Sequence, residues 1–212
     1  MIVFRFKHLL LCVGSLAALW SESALAGSIK ILAFGTSLTQ GYGVPAGSEF
    51  TEMLQARLKA AGIDAKVINA GVSGDTSADG VSRLDWSLAD RPDAAIVEMG
   101  SNDALRGLEP KDTEKNLSIL LGRLRGAHIP VLLLGMKAPR NLGPEYAAQF
   151  DPVYPRLAKR LGDLLYPFVL DGVALDPKLN QPDGLHPNAA GVKVIVTRML
   201  PSVEKLVGEV RH

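Results

Sequence analysis

Short apolar runs alternate with longer stretches of mixed polarity along most of the chain. Four runs are short and largely apolar, as expected of strands buried in a sheet: Ile29–Phe34, Lys66–Asn69, Ala94–Met99 and Val131–Leu134. Between them, apolar residues recur at helical spacing over Phe50–Ala61, Ala78–Leu88 and Thr113–Gly126. This alternation predicts an α/β fold, a three-layer α/β/α sandwich in which helices cover both faces of a mainly parallel sheet.

Two stretches in the second half of the chain do not follow this alternation. The segment Met136–Pro155 contains several prolines and no clear periodicity, which predicts an irregular substrate loop or lid. The stretch Pro187–Val207 has apolar residues at steps of three and four, which predicts a C-terminal helix packed on the sheet. No repeat or linker interrupts residues 28–207, so one domain is predicted over residues 27–212.

The first 26 residues have the three-part pattern of a secretory signal peptide. Basic residues precede the apolar run Leu9–Trp20, and small residues end the segment at Ala24-Leu25-Ala26. The pattern predicts cleavage after Ala26 and a periplasmic or secreted protein. A retained membrane anchor is the alternative, but the run is shorter than the roughly 20 apolar residues that span a bilayer. No membrane insertion is expected once the signal peptide is removed.

Composition excludes several classes of function. The chain has 23 basic and 22 acidic residues, and it is formally neutral without residues 1–26. A neutral domain has no basic stripe for phosphate backbones, so nucleic acid is not an expected partner. The one cysteine, Cys12, lies in the predicted signal peptide, which excludes a disulfide, a thiolate nucleophile and a cysteine-based metal site in the mature chain. Nothing in the sequence calls for a second subunit, and a monomer is expected.

Glycine-led polar turns follow three of the predicted strands. In a parallel sheet, ligands bind outside the carboxyl ends of the strands, so these turns should share one edge. They contain Ser37, Gly71 and Asn102, which could supply a nucleophile, a close backbone N–H and a side-chain amide. Taken singly, each residue has a more ordinary explanation, because serine caps helices and glycine and asparagine favour turns.

A serine nucleophile also needs an imidazole base and a group that orients it. Two histidines of the mature chain are poor candidates, since His212 is the last residue and His128 precedes a predicted strand. His186 remains, and Asp183 lies three residues before it on a turn marked by Gly184. A carboxylate at this spacing could reach Nδ1 of the imidazole, although Asp183 could equally cap the following turn.

These segments, taken in order, resemble the conserved blocks of the SGNH (GDSL-type) hydrolases. The blocks correspond to Phe34–Thr39, Asn69–Thr76, Gly100–Asp103 and Asp183–Pro187. Flanking residues are similar to the bacterial thioesterase, lysophospholipase and arylesterase branch. The resemblance implies a flavodoxin-like sheet and an exported serine esterase that acts on small-molecule aryl or acyl esters, with thioesters and lysophospholipids as further substrates.

The resemblance also implies a role for each matching residue. Ser37 would be the nucleophile, His186 the general base and acid, and Asp183 its orienting carboxylate. An oxyanion hole would form from the backbone N–H groups of Ser37 and Gly71 and from the amide of Asn102. The segment after Met136 is similar to the branch's substrate-binding loop, which makes Asn141 and Tyr146 candidate substrate-binding residues. No metal or cofactor is implied.

One residue departs from the family pattern. The family usually has Asp before the nucleophile, and this chain has Thr36, which replaces a charged acceptor by a neutral hydroxyl. Two alternatives to a lipid or aryl esterase stay open: a carbohydrate acetylesterase that uses the same groups, and a secreted binding module of the same fold without turnover.

Overall fold

The computed structural model describes residues 28–210, so the predicted signal peptide and its cleavage site lie outside the described residues. Five strands of this region form one parallel sheet in the order β2-β1-β3-β4-β5. They are β1 (Ile29–Gly35), β2 (Ala65–Gly71), β3 (Ala94–Glu98), β4 (Val131–Leu134) and β5 (Leu164–Tyr166). This order is that of flavodoxin-like sheets, and it confirms the predicted fold class.

Eight α-helices connect and cover these strands in the described part of the chain. They are α1 (Ser37–Gln40), α2 (Phe50–Ala60), α3 (Ser77–Ser87), α4 (Ser101–Leu105), α5 (Pro110–Gly126), α6 (Pro144–Phe150), α7 (Val153–Leu161) and α8 (Ala189–Val210). Helices α2 and α8 contact each other and cover one face of the sheet, whereas α3, α5 and α7 cover the other. Helices on both faces explain why β3 and β4 are buried along their whole length and β1 at every residue except Lys30.

Polar side chains define where two of the helices begin. Thr76 and Asp79 form a reciprocal capping box at the start of α3, in which each side chain accepts a hydrogen bond from the other residue's backbone N–H. Helix α8 begins at Ala189, two residues after the predicted start. The reason is that the Asn188 side chain accepts hydrogen bonds from the N–H groups of Ala190 and Gly191, at 2.9 and 3.1 Å.

The prediction of an irregular segment over Met136–Pro155 is wrong. This segment contains a short 3₁₀ turn, all of α6 and the start of α7. Its prolines do not break these helices, because Pro144 and Pro155 lie in first turns, where a backbone N–H has no partner within the helix. The buried residues lie at steps of three and four across the junction of the two helices: Phe150, Val153, Tyr154 and Leu157.

The short strand β5 was also not predicted, because three half-buried residues at a sheet edge carry no periodic signal. None of the helices between residues 28 and 210 is both long and apolar enough to cross a bilayer.

Candidate active site

The three glycine-led turns lie side by side at the carboxyl edge of the sheet. Strand β1 is central to them, since Gly35 is in register with Gly71 of β2 and with Glu98 of β3. Ser37 is the first residue of α1, directly after β1, and Asn102 lies in the first turn of α4, directly after β3. The topology therefore brings the predicted nucleophile and the predicted oxyanion donors to neighbouring strand ends.

Close backbone approach explains the glycines of these turns. A Cβ atom on Gly71 would lie 2.2 Å from the backbone nitrogen of Gln40 in α1, and one on Gly35 would lie 2.0 Å from Oγ1 of Thr39. Only glycine lets α1 pack this closely against the ends of β1 and β2. The same contact sets the nucleophile turn beside the Gly71 peptide.

A continuous hydrogen-bonded series joins Ser37, His186 and Asp183. Nε2 of His186 lies 2.9 Å from Oγ of Ser37, and Nδ1 lies 2.7 Å from Oδ2 of Asp183. An ionised carboxylate can only accept a hydrogen bond, so Nδ1 carries the imidazole proton and Nε2 is free to accept the serine proton. The structure thus brings the three residues together, and their roles stay predictions.

The Asp183 carboxylate is held in its ionised form by its own turn. Its pKa is lowered to about 2, first because the backbone N–H of His186 donates to it, and further because the His186 ring and the backbone N–H of Leu185 do so as well. The Asp183 side chain is half-exposed, so this anchoring comes from hydrogen bonds rather than from burial. At neutral pH the carboxylate is therefore ready to orient the imidazole.

Two further residues fix the loop that carries His186. The ring of Tyr42 packs against the imidazole with 4.7 Å between centroids. The Gln181 side chain donates to the backbone oxygens of Tyr42 and Pro187, at 2.8 and 3.0 Å, which ties the loop to the end of α1. The base is thus positioned by aromatic packing on one side and by backbone hydrogen bonds on the other.

The three predicted oxyanion donors differ in whether their N–H hydrogens already have a hydrogen-bond partner in the protein. As the first residue of a helix, Ser37 has a backbone N–H without a partner inside that helix. The Asn102 amide donates one hydrogen to the backbone oxygen of Asp75, at 2.8 Å, which leaves its second hydrogen for a ligand. The Gly71 N–H donates to Oδ1 of Asn69 at 3.0 Å and would have to share that hydrogen with an oxyanion.

The structure explains how Thr36 replaces the usual aspartate. Thr36 is buried, and both its backbone N–H and its hydroxyl donate to the buried carboxylate of Glu98, at 2.9 and 3.1 Å. Thr39 donates a further hydrogen bond to Glu98 from its hydroxyl, at 3.0 Å. An aspartate at position 36 would place a second carboxylate against Glu98, whereas the threonine hydroxyl supplies a donor.

Burial makes Glu98 a source of pH-dependent stability. Desolvation raises the pKa of its carboxyl above 4.5, and the hydrogen bonds from Thr36 and Thr39 only partly oppose this. The folded protein therefore keeps a proton that the unfolded chain loses, so this group makes stability fall as pH rises from 4.5 towards the raised pKa.

We predict that Glu98→Gln flattens this dependence. Urea unfolding at pH 5, 6, 7 and 8 should give a smaller loss of unfolding free energy with rising pH in Glu98→Gln than in the wild type, because the titrating group is gone. Glu204→Gln, on the exposed face of α8, is the matched control and should keep the wild-type slope. Equal slopes for wild type and Glu98→Gln would contradict the prediction.

The two predicted substrate-binding residues lie in the segment that follows β4. Asn141 is exposed on the short 3₁₀ turn Arg140–Leu142. The phenol of Tyr146 donates to the backbone oxygen of Leu108 at 2.7 Å, and its ring stacks on Phe150. Tyr146 thus supports the loop that follows Asn102, and contact of either residue with substrate stays a prediction.

Within residues 28–210, no group of three or more His, Cys, Asp or Glu side chains could hold a metal ion.

Sequence reasoning did not single out several side chains that support the site. Tyr154 is buried and donates to the backbone oxygen of Met99 at 2.9 Å, below the turn that carries Asn102. Arg83 donates to the ends of both β1 and β2. A polar residue inside an apolar strand was the one available signal, and it could have identified Glu98.

A serine, an imidazole and a carboxylate in series at the edge of a parallel sheet form the arrangement of serine hydrolases. Residues 33–194 match the profile of the GDSL-like Lipase/Acylhydrolase family. The chain is 36% identical over 199 residues to Esterase TesA of Pseudomonas aeruginosa. The aligned residues make up 93% of this chain and 98% of that protein.

Two further similarities point to the same family. Over 193 residues the chain is 35% identical to the thioesterase 1/protease 1/lysophospholipase L1 of Escherichia coli, covering 91% of this chain and 90% of that protein. The crystal structure of AlinE4, an SGNH-hydrolase family esterase, matches with a TM-score of 0.73 and 45% identity, covering 86% of this chain and 98% of that one. The chain belongs to the GDSL-like lipase/acylhydrolase family, which confirms the resemblance and the predicted hydrolase class.

Proposed function

We propose that this protein is an exported serine esterase that hydrolyses carboxylic esters through an acyl-enzyme on Ser37. The observation that carries the proposal is the 2.9 Å contact between Nε2 of His186 and Oγ of Ser37, in series with Asp183. The relatives named as esterases and as a thioesterase support the ester as the substrate class.

The geometry supports a two-step reaction. Oγ of Ser37 attacks the ester carbonyl while Nε2 of His186 takes its proton, and the resulting imidazolium then protonates the departing alcohol. Water deprotonated by the same imidazole attacks the acyl-enzyme, which releases the acid and restores Ser37. In both steps the negative charge develops on the carbonyl oxygen, towards the N–H groups of Ser37 and Gly71 and the free amide hydrogen of Asn102.

Apolar side chains near the site favour an aryl or acyl group over a sugar. A small cavity beside Ser37 and His186 is lined by Leu38, Tyr42, Val44, Pro187 and Val192. Val72 and Leu105 are exposed next to the two turns that carry Gly71 and Asn102. An apolar acyl group would cover Val72 and Leu105, whereas a sugar would leave its hydroxyl groups without partners against them. The carbohydrate acetylesterase therefore gains no support from the walls of the site.

Export is the part of the proposal that depends on sequence alone. The charge pattern, the apolar run and the small residues before position 27 support a cleaved signal peptide. Removal of that segment would leave the whole described domain, residues 28–210, intact.

A fluorophosphonate probe tests the proposed nucleophile directly. Oγ of Ser37 should displace fluoride from phosphorus, so the intact mass of the wild type should rise by one phosphonyl group. Ser37→Ala should take up no label because it lacks the attacking oxygen. Ser73→Ala, at an exposed serine of the neighbouring turn, is the control and should be labelled like the wild type. Labelling of Ser37→Ala, or its absence from folded wild type, would overturn the proposal.

A further inference from the structure

Arg83 of α3 joins three separate segments at the carboxyl edge of the sheet. Its guanidinium donates to the backbone oxygen of Gly35 at 2.8 Å, to that of Ala70 at 3.0 Å and to the Asp75 carboxylate at 2.5 Å. It also lies 4.0 Å above the centre of the Phe34 ring, and its side chain is only 20% exposed. One cation thus fixes the ends of β1 and β2 and the turn that follows β2.

The contact with Ala70 acts on one of the proposed oxyanion donors. The oxygen of Ala70 and the N–H of Gly71 belong to the same planar trans peptide, so they point in opposite directions. A hydrogen bond that fixes the oxygen therefore fixes the direction of the N–H. Because the donor is charged, it also polarises the peptide and makes its N–H a stronger donor.

The other two contacts reach the segments that carry the remaining donors. Arg83 holds the side chain of Asp75, and the backbone oxygen of Asp75 accepts the hydrogen bond that orients the Asn102 amide, at 2.8 Å. The oxygen of Gly35 shares its peptide with the N–H of Thr36, the residue directly before Ser37, so Arg83 holds the start of the nucleophile turn. That oxygen also accepts from the N–H of Val72 at 3.0 Å, so the β1 and β2 turns meet on it.

We infer that Arg83 is a positioning residue that aligns the three oxyanion donors with one another. The inference rests on the proposed esterase function and deepens it. Arg83 acts through the Ala70–Gly71 peptide and through Asp75, and it takes no part in proton transfer between Ser37 and His186. Its removal should weaken stabilisation of the transition state while leaving the base and the ground-state contacts of the substrate in place.

The shape of the guanidinium is essential to this role. Its planar fork reaches three acceptors in fixed directions, whereas a lysine ammonium is a single point at the end of a flexible chain. Arg83→Lys therefore keeps the positive charge and the pairing with Asp75 but cannot hold both backbone oxygens. The substitution therefore tests the geometry of the hydrogen bonds while the positive charge is kept.

The first experiment compares the kinetics of Arg83→Lys with those of the wild type on a p-nitrophenyl ester. We expect kcat to fall by about 10- to 100-fold, less than complete loss of a donor, with KM changed by less than about threefold. Arg123→Lys is the matched control, since Arg123 donates to the backbone of the same helix at Val81 but lies away from the site, and it should keep wild-type kcat. A kcat for folded Arg83→Lys within twofold of the wild type would overturn the inference.

A second readout separates positioning from a merely structural role. If Arg83 acts through the oxyanion donors, Arg83→Lys combined with Asn102→Ala should lose less than the product of the two single losses, because both changes disable the same unit. The pH dependence of kcat/KM should keep its wild-type midpoint, since the base is untouched. Fully multiplicative losses, or a shifted pH midpoint, would contradict the inference.

Asp75→Asn tests the same link should Arg83→Lys fail to fold. It keeps an acceptor for the guanidinium but removes the charge, and we expect kcat to fall by about 3- to 10-fold at unchanged KM. An unchanged kcat in folded Asp75→Asn would overturn the inference in that case. Loss of the proposed function would look different, because wild type itself would then fail to hydrolyse the ester or to take up a fluorophosphonate.

Discussion

Ser37→Ala is expected to lower kcat for a p-nitrophenyl ester by at least about 10⁴-fold while the protein stays folded. The variant lacks the oxygen that lies 2.9 Å from Nε2 of His186, so no acyl-enzyme can form. The oxyanion donors would remain, which leaves only slow attack by water.

The fold should tolerate this change. The backbone oxygen of Ser37 accepts hydrogen bonds from the N–H groups of Gly41 and Tyr42, and alanine keeps both. Steady-state rates measured with thermal unfolding by circular dichroism would test both parts of the prediction. Retention of more than a tenth of the wild-type kcat in folded Ser37→Ala would remove Ser37 as the nucleophile. A folded wild type without esterase activity would instead favour the secreted binding module.

Most of the sheet could be predicted because its strands are buried on both faces. Runs such as Val131–Leu134 are buried at every position, so their apolar pattern is continuous in the sequence. Helices α6 and α7 escaped prediction because each is short and begins with prolines that usually mark loops. Their shared buried stripe becomes visible only when the turn between them is known.

The site, too, contains residues that the sequence could suggest and residues that it could not. Ser37 and His186 could be proposed because their chemistry requires those residue types after a strand and on a turn. Residues such as Arg83 and Glu98 act through backbone groups of distant segments, and any carbonyl or N–H looks the same in a sequence. Their partners are fixed by strand register, which brings Gly35 beside Gly71 and Glu98 and which no local pattern encodes.

The second large effect is expected for Asp183→Asn, which should lower kcat by roughly 10³- to 10⁴-fold with little change in KM. The Asp183 carboxylate has a pKa of about 2, first because the His186 backbone N–H donates to it, so it is ionised throughout the range in which the enzyme would be assayed. Its stabilising contribution is present above the ordinary value of 3.8 and is lost only as pH falls through about 2.

Asparagine would keep one acceptor for the N–H groups of Leu185 and His186, and the turn should therefore survive. Its amide nitrogen would replace the oxygen that faces Nδ1 at 2.7 Å and would donate to that nitrogen. The imidazole proton would then sit on Nε2, where it prevents His186 from accepting the proton of Ser37. Asp176→Asn, in the preceding loop, is the control and should keep wild-type kcat. A kcat for Asp183→Asn within threefold of the wild type would contradict the prediction. It would mean that Tyr42 and the loop backbone orient the imidazole without a carboxylate. Ser37 and His186 would then work as a dyad.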